Sequence, residues 1–273
     1  MENTTTTKSG LIIIKLGGSV ITYKDSPIPK ARIDVIKNLA SQIKKVVDLE
    51  KYKIILVHGA GSFAHGLVKK YDLHRGMKTE KQILGFSLVT RNMIGLNNKI
   101  MGHLLRAKLK AVSIISHTFI TQSAGKLTDF NIEIIKSYLE NNQIPVLFGD
   151  VVLDDKWGCS VLSGDTIVCY LAQKLKADKV IFLSDVDGIF DSDPNKNPKA
   201  KLIAEINNQN LNKILKGLSP TGRDDVTGEM YGKILYIKKY LLGIPVYIAK
   251  GLSLKNLMRI IHQRGNITRI VFD

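Results

Sequence analysis

Short apolar runs rich in isoleucine and valine alternate along this chain with longer segments whose apolar residues recur every three or four positions. The first pattern predicts strands over residues 11–16, 54–57, 111–115, 144–148, 180–184 and 246–249. The second predicts helices over 32–49, 79–109, 132–140, 164–175, 230–242 and 254–263. This alternation specifies an α/β fold in which a mostly parallel sheet is covered by helices on both faces. Several of the strands run into a polar or glycine-bearing turn at their carboxyl ends, the edge at which open α/β sheets bind ligands. Residues 191–201 read as a surface loop, and a soft division near Asp178 separates two lobes. The four threonines of the N-terminal tail are the sole low-complexity stretch, and no internal repeat is visible.

Composition narrows the picture. A chain of 273 residues, 44% hydrophobic, with 22 Gly and 7 Pro, can bury a sizeable core, which excludes disorder, collagen and a small disulfide scaffold. No apolar run approaches the roughly 20 residues of a membrane span, since Lys15 interrupts the longest, residues 11–21. Residues 1–10 form a polar tail without the features of a signal peptide, so disorder is expected there and a cytoplasmic location for the protein. Cys159 and Cys169 make neither a C-x-x-C pair nor a metal cluster and read as reduced thiols. A net charge of +16 favours anionic partners. The basic residues are dispersed and aromatics are only 7%, so a solvated surface is preferred over nucleic-acid binding, and no stable membrane association is expected.

Candidate chemistry lies in five segments. In I-I-I-K-L-G-G-S, residues 12–19, a buried strand runs into Gly17, Gly18 and Ser19. Either this is a plain strand-terminating turn, or its amides cradle a phosphate beside Lys15, a charge that needs an anionic partner inside an apolar strand. V-H-G-A-G-S-F-A-H, residues 57–65, offers a run of amide donors at Ala60 and Gly61 with His65 one turn on. That suits a phosphate monoester, although a lone histidine is as readily an ordinary surface or core residue. P-V-L-F-G-D and L-S-G-D-T place Asp150 and Asp165 directly after glycine, where a carboxylate can orient lysines or hold water on Mg²⁺; Asp165 can also simply cap a helix. L-S-D-V-D-G-I-F, residues 183–190, hints at cation binding but lacks the ligand set of an EF-hand. D-V-T-G-E-M-Y-G-K, residues 225–233, enters a helix carrying Lys233. Walker A, H-E-x-x-H, G-x-S-x-G and protein-kinase signatures are missing.

In this order the five segments resemble the amino-acid kinase superfamily, and within it they look most like the isopentenyl phosphate kinases; the resemblance runs from about Leu11 to the C-terminus. The superfamily rests on K-L-G-G-S, the two G-D segments, D-V-D-G and D-V-T-G-x-M-x-x-K. The subfamily rests on the terminal histidine of H-G-A-G-S-F-A-H, on Lys24 and on D-V-T-G. The resemblance implies a three-layer open α/β/α sandwich forming a single domain over 11–273. Its N-terminal lobe, about 11–177, would hold the acceptor, and its C-terminal lobe, about 178–273, ATP-Mg²⁺. It implies transfer of the γ-phosphoryl group to isopentenyl phosphate, with dimethylallyl phosphate as a related acceptor, and a homodimer. Carried over, Lys15, Gly17, Gly18 and Ser19 hold the transferring phosphates, and Ala60, Gly61, His65 and Gly164 the acceptor phosphate. Asp185, Gly228 and Lys233 serve ATP. Glu229 departs from the pattern, which would carry a second glycine there.

The chemistry is consistent with this on its own terms. A phosphate monoester has a second pKa of about 6, so its attacking oxygen is already deprotonated near neutral pH and no general base is needed. The obstacle is repulsion between two polyanions, which fixed cations and amides relieve. Lys24 is assigned to the transferring group, His65 to the acceptor, and Asp150 to orienting the lysines; no protein ligand for a metal is assigned. The helix over 79–109 presents Ile83, Phe86, Val89 and Met93 on one face. Most of that stripe reads as core, with one or two side chains, Ile83 and Phe86 foremost, expected to touch an apolar tail. A kinase for another phosphorylated acceptor such as uridine monophosphate would need polar base-reading groups there. A non-catalytic nucleotide- or nucleic-acid-binding regulator would instead show salt-sensitive polynucleotide binding and indifference to loss of Lys24.

Overall fold

The computed structural model describes residues 10–24, 26, 28–50, 52–192, 194, 197–218, 226–252 and 257–273, with backbone alone at 226–229. The expected disorder of residues 1–10 therefore falls, apart from Gly10, outside the described residues, as does Asp225 of the D-V-T-G segment. The strands are β1 (Leu11–Leu16), β2 (Lys53–His58), β3 (Ala111–Ser113), β4 (Ile120–Ser123), β5 (Lys126–Phe130), β6 (Ile144–Phe148), β7 (Asp150–Asp154), β8 (Gly158–Leu162), β9 (Lys179–Ser184), β10 (Glu205–Ile206), β11 (Val246–Lys250) and β12 (Thr268–Ile270). The helices are α1 (Gly18–Ile21), α2 (Ile33–Leu49), α3 (His65–Lys70), α4 (Glu80–Arg106), α5 (Ile132–Glu140), α6 (Gly164–Leu175), α7 (Leu211–Gly217), α8 (Val226–Tyr240) and α9 (Leu257–Ile261).

Eight strands form the central sheet in the order β10-β12-β11-β9-β1-β2-β6-β3. Every pairing in it is parallel except β11 with β12. Because parallel strands are covered on both faces they are apolar throughout, and the period-two alternation only decides which face each residue supplies. Ile12, Ile14 and Leu16 of β1 join a core that includes Leu39 of α2, Met93 of α4 and Ile260 of α9. Ile13 points the other way, into a core that includes Ile135 of α5, Val168 of α6 and Ile234 of α8. Three layers result, and Lys15, two positions after Ile13, is thereby aimed at α6 and α8.

Helix ends follow from local chemistry. Thr79 caps α4 through a capping box with Gln82, so the helix predicted from residue 79 starts one position later. The helix predicted at 230–242 begins earlier, at Val226, and that predicted at 254–263 is described only over Leu257–Ile261. A second, four-stranded sheet, ordered β5-β4-β7-β8, was not legible beforehand. Asp154 holds it together by accepting from the amides of Ala124, Gly125, Lys156 and Trp157 and from the Ser160 hydroxyl, at 2.8–3.1 Å. Burial alone would raise that carboxyl, but these donors outweigh it and lower its pKa to about 2. No helix among the described residues is long and apolar enough to cross a membrane.

Candidate active site

The parallel strands β1, β2, β6 and β9 end side by side, and the turns that follow them enclose a cavity of about 610 Å³. The turn after β1 and the turn after β2 meet backbone to backbone. A Cβ on Gly18 would lie 2.5 Å from the Gly61 nitrogen, and one on Gly59 would lie 2.6 Å from the Gly18 nitrogen, so side chains are excluded here. Gly18, Ser19, Ala60 and Gly61 all line the cavity, and their amides donate to no oxygen among the described residues. Such a cluster of unspent N–H groups is a ready anion site.

One carboxylate organises the cations. Asp165, the second residue of α6, receives Lys15 Nζ on Oδ1 and Lys233 Nζ on Oδ2, the latter at 2.7 Å. The Phe182 ring on β9 flanks both ammonium groups, its centroid 5.8 Å from Lys15 Nζ and 5.0 Å from Lys233 Nζ. Burial would raise the Asp165 carboxyl, but the two lysines overcome that and hold it well below the usual carboxylate range. Asp165 is not the α6 cap: Ser163 fills that role by accepting from the Thr166 amide at 3.0 Å.

Asp150 differs from its expected role. It opens β7, where the chain leaves the large sheet after Gly149, and its Oδ2 lies 2.7 Å from His117 Nδ1. Its side chain is fully buried, and burial pushes the carboxyl up, with the His117 contact opposing. The bridging of the lysines, assigned to Asp150 from sequence, belongs to Asp165. The two were indistinguishable beforehand because each is an aspartate after a glycine.

The remaining assignments divide. Lys24, His65, Gly164 and Asp185 line the same cavity as Gly17 and Lys233. Lys24 and His65 are exposed, His65 as the first residue of α3. The Ser184 hydroxyl donates to Asp185 at 3.1 Å. Gly228 lies in the first turn of α8, where only backbone is described. Ile83 and Phe86 do not line the cavity. Ile83 is 47% exposed and Phe86 packs against the core, while Val89 one turn further on reaches the cavity together with Val68, Val151, Val161 and Leu162. Lys69 and His74 also line the cavity, and no motif had marked them, nor His117. Among the described residues no group of three or more His, Cys, Asp or Glu could hold a metal.

A three-layer α/β sandwich whose strand ends present amides and two carboxylate-anchored lysines defines a protein that handles phosphate-like anions at its sheet edge. Residues 10–250 match the model of the amino acid kinase family, to which the chain belongs. A relative from Methanothermobacter thermautotrophicus named isopentenyl phosphate kinase is 37% identical, over 82% of this chain and 84% of the relative. One of the same name from Methanocaldococcus jannaschii is 39% identical, over 84% and 87%. A solved isopentenyl phosphate kinase structure superposes with a TM-score of 0.81 at 32% identity, covering 96% of this chain and all of the other.

Proposed function

We propose that this protein transfers the γ-phosphoryl group of ATP directly to isopentenyl phosphate, giving isopentenyl diphosphate. The observation that carries the reading is the Lys15–Asp165–Lys233 bridge at an amide-lined cavity that His65 and valine and leucine side chains also line. The family membership supports phosphoryl transfer, and the names of the relatives support the acceptor.

In this reading Asp165 holds the two lysines apart and fixed, so that they meet the transferring phosphates without reorganising. The Gly18 and Ser19 amides bind the same group, and Lys24, exposed at the mouth, follows charge onto the bridging oxygens. Ala60, Gly61 and His65 bind the acceptor phosphate, already nucleophilic near pH 7, and Gly164 leaves room beside it. Asp185, Gly228 and Lys233 serve the nucleotide from the C-terminal lobe, about 178–273, and the N-terminal lobe holds the acceptor. Mg²⁺ would arrive on the nucleotide phosphates and neutralise part of their charge. We place the reaction in the cytoplasm and the protein in a homodimer.

The test is ADP release with ATP-Mg²⁺ and, in turn, isopentenyl phosphate, dimethylallyl phosphate and uridine monophosphate. Turnover of the isoprenoid phosphates is expected, with His65→Ala raising the acceptor KM about 10–100-fold, the loss of a charge-assisted phosphate contact. Preference for uridine monophosphate would overturn the acceptor assignment.

A further inference from the structure

His58, the last residue of β2, is fully buried and has no part in the chemistry above. Its ring stacks on Phe148 of β6, with centroids 5.0 Å apart and planes 21° apart. Nδ1 lies 3.0 Å from the Gly59 carbonyl oxygen. A carbonyl only accepts, so Nδ1 carries the hydrogen and Nε2 is a bare acceptor. Burial lowers the ring's pKa to about 4, so it is neutral near pH 7.

Among the described residues, two buried side-chain atoms in this region have no hydrogen-bond partner: His58 Nε2 and Oδ1 of Asn97, an α4 residue only 2% exposed. Asn97 Nδ2 donates to the Ser113 hydroxyl on β3 at 2.5 Å, so the Gly59 carbonyl is the hydrogen-bond partner of the His58 ring among the described residues.

The ring reaches the cavity through the backbone. Gly59 C=O and Ala60 N–H are opposite edges of one trans peptide. With the oxygen held by His58 Nδ1, the Ala60 N–H is turned the other way, and Ala60 lines the cavity with that amide unspent. The His58 carbonyl in turn accepts from the Gly149 amide at 3.0 Å, joining two of the cavity's turns.

We propose that His58, stacked on Phe148, is a positioning residue that holds the Gly59–Ala60 peptide with its amide aimed at the acceptor phosphate. The proposal rests on the acceptor site described above; His58 itself touches neither reactant.

Three substitutions separate the two ends of the ring. Asparagine places an amide nitrogen where histidine has Nδ1, and so His58→Asn keeps the donor to Gly59. His58→Gln keeps a polar group only at the Nε2 end, and His58→Phe keeps only the stack. The acceptor KM is expected to rise about tenfold in the Gln and Phe variants, the worth of one well-aimed amide, and much less in the Asn variant. The ATP KM should stay within about twofold in all three. An Asn variant no better than Phe, or an ATP KM rising in step with the acceptor KM, overturns the proposal. Ring ¹⁵N spectra of the unmodified protein should show the Nδ1–H tautomer whatever the acceptor, and an Nε2–H tautomer overturns the proposal independently of activity. If isopentenyl phosphate is not turned over, yet the tautomer holds and inorganic phosphate shifts the Ala60 amide resonance in the wild type but not in His58→Phe, the acceptor reading fails and the positioning role stands.

Discussion

Asp165 and Asp150 both follow a glycine and both line the cavity, yet their surroundings are opposite. Asp165 sits between two ammonium groups and is held ionised. Asp150 is sealed beside one imidazole and its carboxyl is raised. The difference comes from where the chain goes next. After Gly164 it enters a helix whose second residue meets Lys15 of β1 and Lys233 of α8, and after Gly149 it turns into the small sheet, where the carboxylate meets His117. An identical dipeptide thus becomes an electrostatic anchor in one place and a buried structural acid in the other.

The sharpest way to break this comparison is to neutralise each carboxylate. Asp165→Asn leaves Lys15 and Lys233 to repel each other and to drift from the transferring phosphates, so kcat should fall about 10²–10³-fold. Asp150→Asn should cost less than about tenfold in kcat, since a neutral amide still meets His117. Steady-state rates with ATP varied at saturating acceptor measure both. Equal losses would return the orienting role to Asp150 and dissolve the distinction.

Stability against pH gives a second, smaller contrast, with opposite signs. A carboxyl lowered in the folded state, as Asp165 is, stabilises the protein above its unfolded pKa of about 3.9 and loses that contribution as pH falls through the folded value. Asp165→Asn should therefore cost its full amount from pH 7 down to about pH 4 and progressively less below that. A carboxyl raised in the folded state, as Asp150 is, contributes fully below about pH 3.9 and loses ground as pH rises through its folded value. Asp150→Asn should therefore cost less near pH 7 than near pH 4. Urea midpoints from pH 7 down to about pH 2, compared with the unmodified protein, read the Asp150 slope above the unfolded pKa of about 3.9 and the Asp165 slope below it. Slopes of the same sign would show that the two sites do not differ as described.

How far each region was legible follows the same division. Residues 11–16, 132–140, 144–148 and 164–175 read correctly to the residue, because a strand covered on both faces is apolar throughout and an amphipathic helix repeats its pattern. The small sheet stayed hidden because β4 and β5 are short and largely polar, and because Asp154, which ties their turn to that of β7 and β8, resembles any surface aspartate. Lys15 announced itself as a charge within an apolar strand. The residue that answers it lies 150 positions away, at a distance no local pattern spans. His117, Lys69 and His74 carried no motif at all. His58 lies in the same glycine-bearing segment as His65, but a position after the glycines suggests a ligand, whereas nothing in the sequence marks a ring that burial turns inward.

The apolar end of the cavity offers the finest test. Helical periodicity places Ile83, Phe86 and Val89 on one stripe, but of these three only Val89 reaches the cavity, while Ile83 is 47% exposed. If the tail of the acceptor lies against Val68, Val89 and Val161, trimming Val89 to alanine removes two methyl groups from its wall, and the acceptor KM should rise roughly three- to tenfold. Ile83→Ala should leave it within about twofold. Because Val89 is fully buried, Val89→Ala will also lower the melting temperature, so the ATP KM serves as the control that global loosening would move and a local gap would not. A comparable rise for Ile83→Ala would mean that α4 shifts to bring its first turns over the acceptor, and that the stripe as read from the sequence describes the bound state better than the cavity of the free protein does.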